Sequence, residues 1–220
     1  MTASEPSVND LSPLTKTETE PMLLLDTTGS MSFPAADGSK VERREVVHEA
    51  IGRIIEVLEA KDSQEAKEQA AGEDKGGVMT VTFAGGSAKN LDDISTRNLV
   101  EKWNSIQWGG GTQIMPGWNL LVDTYMEEFG DQPKTDRPAL MALVITDGEA
   151  DDAAEFAATM AQAKGGTYVA IAIVGYGAEH DSALASFQNV AAGNDHVRVL
   201  TFGGETDPNV IADGLVAMIG

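Results

Sequence analysis

Met22-Leu-Leu-Leu-Asp-Thr-Thr-Gly-Ser-Met-Ser32 is the stretch that decides the fold. Its apolar run is too short for a typical helix and lies between a proline and a glycine, which predicts a strand buried on both faces. The strand ends at Asp26, and Thr28 and Ser30 place two hydroxyl groups at alternate positions of the following loop. These three oxygen-bearing side chains can converge on one point, although such loops also occur where the side chains bond only nearby backbone. Because hard divalent cations prefer oxygen ligands, a converging arrangement favours Mg²⁺, Mn²⁺ or Ca²⁺ over zinc.

The composition limits the classes of function. The 220 residues carry a formal net charge of −20 and no cysteine. The length suits one α/β domain, and the lack of cysteine excludes disulfides and thiolate metal sites and fits a reducing compartment. Because nucleic acids and anionic membranes attract clustered basic residues, the charge argues against both and favours a cation or a basic partner surface. The sequence shows neither a secretory signal pattern nor a bilayer-spanning apolar run, so we expect a cytoplasmic protein.

The first twenty residues differ in composition from the rest of the chain. Residues 1–20 are rich in Ser, Thr, Glu and Pro and contain few apolar side chains, so they cannot bury enough surface to offset chain entropy. We predict a flexible leader at 1–20 and one domain at 21–220. The alternative is a docking or self-blocking peptide, for which Leu11 and Leu14 are the available anchors.

Apolar runs and amphipathic stretches alternate along the domain. After the first strand, a helix is predicted with Val47, Ile51 and Leu58 towards the sheet and Arg43 and Arg44 among its polar positions. Since parallel strands need crossovers and crossovers are usually helices, the alternation predicts a Rossmann-like, three-layer α/β/α fold with a doubly wound, mostly parallel sheet. The predicted strands are 22–26, 78–84, 90–94, 139–146, 168–174 and 197–202, and later helices are predicted at 96–103, 114–129, 182–192 and 208–219. A further helix follows Asp151 and Asp152, with a buried stripe of Phe156, Ala157, Met160 and Ala161.

The polar residues at the ends of these strands fall on one edge of the sheet. Ligands of doubly wound folds bind beyond the carboxyl ends of the strands. Asp26 follows the first strand, Asp147 follows the strong strand at 139–146, and Thr112 lies between three glycines and a predicted helix start. Their shared edge strengthens the prediction of a metal site.

With these residues placed, the chain resembles a von Willebrand factor type A (vWA) domain, whose metal-ion-dependent adhesion site (MIDAS) has the pattern Asp-x-Ser-x-Ser, a distant Thr and a distant Asp. The first element here is Asp26-Thr27-Thr28-Gly29-Ser30, in which Thr28 replaces the usual first Ser and keeps the hydroxyl. Thr112 and Asp147 match the distant Thr and Asp, and the resemblance covers about 21–219. It implies that Ser30, Thr28 and Thr112 ligate the metal directly or through water. Asp26 and Asp147 would do so directly or would accept hydrogen bonds from the ligands.

The resemblance also implies a function. Domains of this kind leave one coordination position for a partner's Asp or Glu, so that the metal, here Mg²⁺ or alternatively Mn²⁺ or Ca²⁺, bridges two proteins. Cytosolic bacterial examples work beside AAA+ ATPases or inside larger assemblies. The expectation is therefore a protein-binding module that is not an enzyme and binds neither nucleic acid nor membrane.

An enzymatic alternative starts from the same carboxylate. An Asp at the end of a first strand followed by Thr is also similar to haloacid-dehalogenase-type phosphatases, in which Asp26 would be the nucleophile and Mg²⁺ would bind phosphate. That family has a second Asp two residues after the nucleophile, where this chain has Thr28. The glycines at 109–111 lack the Lys and Ser/Thr of a phosphate-binding P-loop, and the scattered histidines show no triad pattern.

Two further features bear on the site. In the acidic cluster of Asp147, Glu149, Asp151 and Asp152, we assign Asp147 to the metal and expect Asp151 and Asp152 to cap the next helix. A second, calcium-type site in this cluster is the alternative, although EF-hand spacing is missing. Trp108, beside the glycines, is either a packed residue or part of an exposed binding surface.

Overall fold

The sheet has six strands in the order β3-β2-β1-β4-β5-β6. The computed structural model describes residues 19–68, 77–148, 150–162, 167–192 and 194–219, and most of the predicted leader lies outside this part. The strands are β1 Thr19–Asp26, β2 Val78–Ala84, β3 Ser87–Ile94, β4 Ala139–Thr146, β5 Thr167–Ile173 and β6 Val197–Thr201. The helices are α1 Arg43–Glu68, α2 Leu99–Asn104, α3 Met115–Phe129, α4 Ala153–Gln162, α5 Gly177–Ala191 and α6 Pro208–Ile219, with a short 3-10 helix at Gly29–Ser32.

The predicted mostly parallel sheet is confirmed. Every neighbouring pair of strands is parallel except β2 and β3, which form an antiparallel hairpin. Gly85 and Gly86 make its two-residue turn with φ angles of 56° and 76°, the left-handed conformation that tight hairpins require. β3 starts three residues before the predicted 90–94 strand, because the hairpin pairs Ser87 with Ala84 although its first residues are exposed.

β1 begins at Thr19, inside the stretch predicted as a leader. Its pairing with β4 starts at Thr19, whereas its pairing with β2 starts only at Met22. Pro21 therefore lies where the strand has one neighbour, a position that tolerates a residue without an amide hydrogen. β1 therefore runs from Thr19 to Asp26 and is longer than the predicted strand at 22–26.

Helices cover both faces of the sheet, as the alternation predicts. On one face, Trp118 of α3 packs edge-on against Phe156 of α4, with ring centroids 5.6 Å apart. On the other face, α1 and α6 pack over the sheet. Within β1, Leu24 contributes to the first core and Leu25 to the second, so the strand is buried on both sides.

Three helix starts differ from the predicted ones. α2 starts at Leu99 and α5 at Gly177, rather than at 96 and 182. α3 starts at Met115, so Thr112 lies in the loop before the helix. The prediction placed the start of α2 too early and that of α5 too late, because apolar spacing does not determine the residue at which a helix begins. None of the described helices combines the length and the apolar content that a membrane span requires.

Candidate metal site

Asp26 is the last residue of β1 and is fully buried. Its Oδ1 accepts a 2.8 Å hydrogen bond from the Thr28 amide, and its Oδ2 accepts a 2.6 Å bond from the Thr146 hydroxyl. Thr146 ends β4, the strand beside β1. The carboxylate thus ties the loop after β1 to the end of the neighbouring strand.

A chain of oxygen atoms runs from this loop to the end of β4. The Thr28 and Ser30 hydroxyl oxygens lie 3.1 Å apart, and the Ser30 hydroxyl donates a 2.9 Å hydrogen bond to Asp147 Oδ1. The short 3-10 helix at Gly29–Ser32 turns Ser30 towards Asp147, which directly follows β4. The structure therefore brings together the two hydroxyls and the distant Asp that the sequence pattern selected.

Thr112 reaches the same edge from the glycine loop. A Cβ atom built on Gly148, the residue after Asp147, would lie 3.5 Å from Thr112 Oγ1. The Thr112 carbonyl accepts a 2.8 Å hydrogen bond from the Asp151 amide. All five predicted site residues, Asp26, Thr28, Ser30, Thr112 and Asp147, thus lie at the carboxyl edge of the sheet.

The glycines at 109–111 hold this loop against the β2–β3 hairpin. The Gly109 amide donates to the Thr27 carbonyl at 2.9 Å, and the Gly85 amide donates to the Gly111 carbonyl at 2.8 Å. A Cβ atom on Gly110, whose φ is 86°, would come within 2.9 Å of the Gly85 backbone. The glycines therefore allow these backbone segments to pack closely.

Asp152 caps a different helix from the expected one. Its carboxylate accepts 2.9 Å hydrogen bonds from the Ile114 and Met115 amides, so the side chain caps α3. Its backbone carbonyl accepts the Phe156 amide in α4. The expectation that its side chain caps α4 was wrong because the pairing is non-local, 37 and 38 residues apart. Glu149 lies outside the described residues.

Burial makes both carboxylates of the site harder to ionise. Burial is the largest cause that raises the pKa of Asp26 from 3.8 to about 6, and the charge of Asp147 adds to it. Hydrogen bonds from Thr146 and Thr28 act in the opposite direction. Burial also raises the pKa of Asp147, while Arg43 and Ser30 oppose that shift. A cation at this point would relieve both carboxylates.

Arg43 is the site residue that the sequence analysis missed. It was placed on the polar side of the first helix, but it is buried, and its Nη1 donates to Asp147 Oδ2 at 2.7 Å. Arg43 is the first residue of α1, where the helix dipole disfavours a positive charge. This unfavourable position is offset by the acidic partner, which lies on a distant strand end.

Comparisons with known proteins identify the fold. No family model and no curated protein matches the chain, but solved structures do. The SpRpn10 VWA domain superposes with a TM-score of 0.59 at 13% identity, covering 91% of this chain and 94% of that one. The chain has the von Willebrand factor A fold. Similar to it are the PilB minor pilin of Streptococcus sanguinis (TM-score 0.63, 12% identity, 94% of this chain) and mussel byssus proximal thread matrix protein 1 with a zinc-occupied MIDAS (0.62, 12%, 95%). This chain spans 63% of the pilin and 49% of the thread protein.

The donor set of this vWA-fold chain suits a hard cation. Ser30 Oγ lies 3.1 Å from Thr28 Oγ1 and 2.9 Å from Asp147 Oδ1. Adjacent ligands of an octahedral Mg²⁺ lie about 3 Å apart, since each is about 2.1 Å from the ion. Among the described residues, no three His, Cys, Asp or Glu side chains form a metal-binding group. A cation bound here would take hydroxyl oxygens beside the Asp147 carboxylate, and oxygen donors of this kind suit hard divalent cations.

Trp108 lies beside the site and is partly exposed. Arg44 Cζ lies 5.5 Å from the centre of its ring, and Trp103 packs against it at 5.1 Å. Trp108 borders a cleft of about 440 Å³ that also contacts Thr27 and Gly109. Trp108 is therefore packed on one side and partly exposed on the other, and its role in a binding surface stays a prediction.

Proposed function

We propose that this vWA-fold chain is a protein-binding module in which a divalent cation at the carboxyl edge of the sheet bridges to an Asp or Glu of a partner protein. The observation that supports it is the position of the Ser30 hydroxyl between the Thr28 hydroxyl and the Asp147 carboxylate. Mg²⁺ or Mn²⁺ would be held by these oxygens and by Thr112. Asp26, which is fully buried and bonds the Thr28 amide and the Thr146 hydroxyl, would act through the backbone and side chains that it orients.

A cation in this site strengthens the binding of a partner carboxylate. Neutral hydroxyl ligands leave much of the ion's charge uncompensated, so an incoming carboxylate gains a strong bond in an otherwise acidic protein. Without the ion, the same carboxylate would meet Asp26 and Asp147 and be repelled.

The phosphatase alternative is not favoured by the geometry around Asp26. A nucleophilic carboxylate needs an oxygen open to its substrate. Asp26 is completely buried, and both oxygens are engaged by Thr28 and Thr146. The proposal is therefore a binding module without catalysis.

Calorimetric titration of Mg²⁺, Mn²⁺ and Zn²⁺ into chelator-stripped protein tests the metal site. We expect saturable one-site binding that favours Mg²⁺ or Mn²⁺ and is lost in Ser30→Ala. Ser32→Ala is the matched control, because Ser32 lies in the same 3-10 helix. Equal binding by the wild type and Ser30→Ala would contradict the proposed site.

The bridging step needs its own probe. Acetate added to the Mn²⁺-loaded protein should displace metal-bound water and lower the water-proton relaxation rate, whereas acetamide should not. An unchanged relaxation rate with acetate would show that the ion has no position open to a carboxylate.

A further inference from the structure

The guanidinium group of Arg43 is enclosed by a carboxylate, a backbone carbonyl and an aromatic ring. Its Nη1 donates to Asp147 Oδ2 at 2.7 Å, and its Nε donates to the Pro34 carbonyl at 3.3 Å. Its Cζ lies 5.7 Å from the centre of the Phe33 ring. The side chain is only 4% exposed, so its charge is poorly screened by water.

Gly175 also lies directly against the guanidinium group of Arg43. A Cβ atom at that position would lie 2.9 Å from both Cζ and Nε of Arg43, and the φ of Gly175 is 92°. The loop after β5 therefore places bare backbone against the guanidinium. Glu179 Oε2 also lies 3.8 Å from Nη2, but Glu179 is 69% exposed and adds little.

The two carboxylate oxygens of Asp147 have different partners. Oδ2 accepts the hydrogen bond from Arg43, whereas Oδ1 accepts the hydrogen bond from the Ser30 hydroxyl and so lies on the side of the other site oxygens. The ionised groups Asp26, Asp147 and Arg43 together carry one negative charge. A divalent cation changes that balance to one positive charge, whereas without Arg43 it would only reach neutrality.

We propose that Arg43 is an internal counter-cation of the metal site: it holds the Asp147 carboxylate in place before metal binds, and it leaves the loaded site with a positive charge that attracts a carboxylate. This inference rests on the proposed function. It assigns Arg43 opposite effects on the two ligands, because its charge weakens the binding of a cation and strengthens the binding of an anion. A residue that only supported the loop would affect both ligands in the same direction.

The experiment compares Arg43→Met with Arg53→Met, an exposed arginine on the same helix. In chelator, Arg43→Met should lower the melting temperature by about 10 °C, because one partner of a buried ion pair is lost. For the Arg43→Met protein, the Mg²⁺ affinity should rise about tenfold and the acetate affinity of the Mn²⁺-loaded site should fall about tenfold. Arg53→Met should match the wild type in all three measurements. Unchanged or weaker Mg²⁺ binding in Arg43→Met would overturn the inference.

The double variant Arg43→Met/Asp147→Asn separates charge from shape. It removes the cation together with its carboxylate partner, so it should melt at a higher temperature in chelator than Arg43→Met alone. If the single variant does not fold and the double variant does, the charge balance is supported. If neither folds, the shape of the side chain matters and the inference fails. A wild-type protein that binds none of the cations would overturn the proposed function, while this stability comparison would still decide whether Arg43 holds the Asp147 carboxylate in place.

Discussion

The hydroxyl of Thr146 donates a 2.6 Å hydrogen bond to Asp26 Oδ2, joining the carboxyl ends of the two central strands. Thr146→Val keeps the side-chain volume and removes this donor to a buried carboxylate. We expect a loss of about 1–3 kcal/mol in the free energy of unfolding and weaker Mg²⁺ binding. Urea unfolding and calorimetry measure the two effects.

Thr80→Val is the control for this prediction. Thr80 is also a fully buried strand residue, but its hydroxyl bonds the Val78 carbonyl of its own strand. It should lose stability without losing metal affinity. Equal metal affinity in Thr146→Val and the wild type would show that the Asp26 contact does not support the site.

The buried Asp26 makes the stability of the metal-free protein depend on pH. Its pKa is raised from 3.8 to about 6, so the folded state binds the proton more tightly than the unfolded state. The resulting stabilisation is fully present below pH 3.8 and is lost as the pH rises through 6. Urea unfolding of chelated protein should therefore give roughly 1 kcal/mol more stability at pH 5 than at pH 7.5 from this group.

Asp26→Asn isolates that contribution. The variant lacks the titrating group, so this part of the pH dependence should disappear, and the metal-free protein should gain up to about 3 kcal/mol at pH 7.5. Metal-induced stabilisation should be lost as well. A wild type and variant with parallel pH profiles would contradict the assignment.

The local pattern of the sequence was enough to predict the fold and the convergence of the site residues. The buried run at 139–146 and the alternation of strands and helices place Asp26 and Asp147 at one edge, since parallel strands end together. What the pattern could not supply were contacts between distant residues. The pairing of Arg43 with Asp147 spans 104 positions and depends on how α1 crosses the sheet. The cap of α3 by Asp152 is likewise a contact between residues far apart in the sequence. The assignment of the five residues as metal ligands stays a prediction.

Asp152 positions the loop that carries Thr112. Its carboxylate caps the first amides of α3, two and three residues after Thr112. Asp152→Ala should cost about 1–2 kcal/mol of stability through the lost cap and should weaken Mg²⁺ binding by releasing the loop. Asp151→Ala, at the neighbouring exposed position, should do neither. If both variants bind Mg²⁺ as the wild type does, Thr112 does not need this cap.

The contact between Gly110 and Gly85 gives the last prediction. Both Gly110 and Gly38 have a left-handed φ, 86° and 70°, so alanine brings similar backbone strain to each. Only at Gly110 would the new Cβ also meet backbone, 2.9 Å from Gly85, whereas nothing lies within 4 Å at Gly38. Gly38→Ala should therefore cost about 1 kcal/mol and keep metal binding. Gly110→Ala should destabilise the protein further and lower its Mg²⁺ affinity, because the loop that carries Thr112 must shift. Thermal melting and calorimetry on the two variants distinguish backbone strain from a shift of the Thr112 loop. Equal Mg²⁺ affinities would show that the site does not depend on the position of this loop.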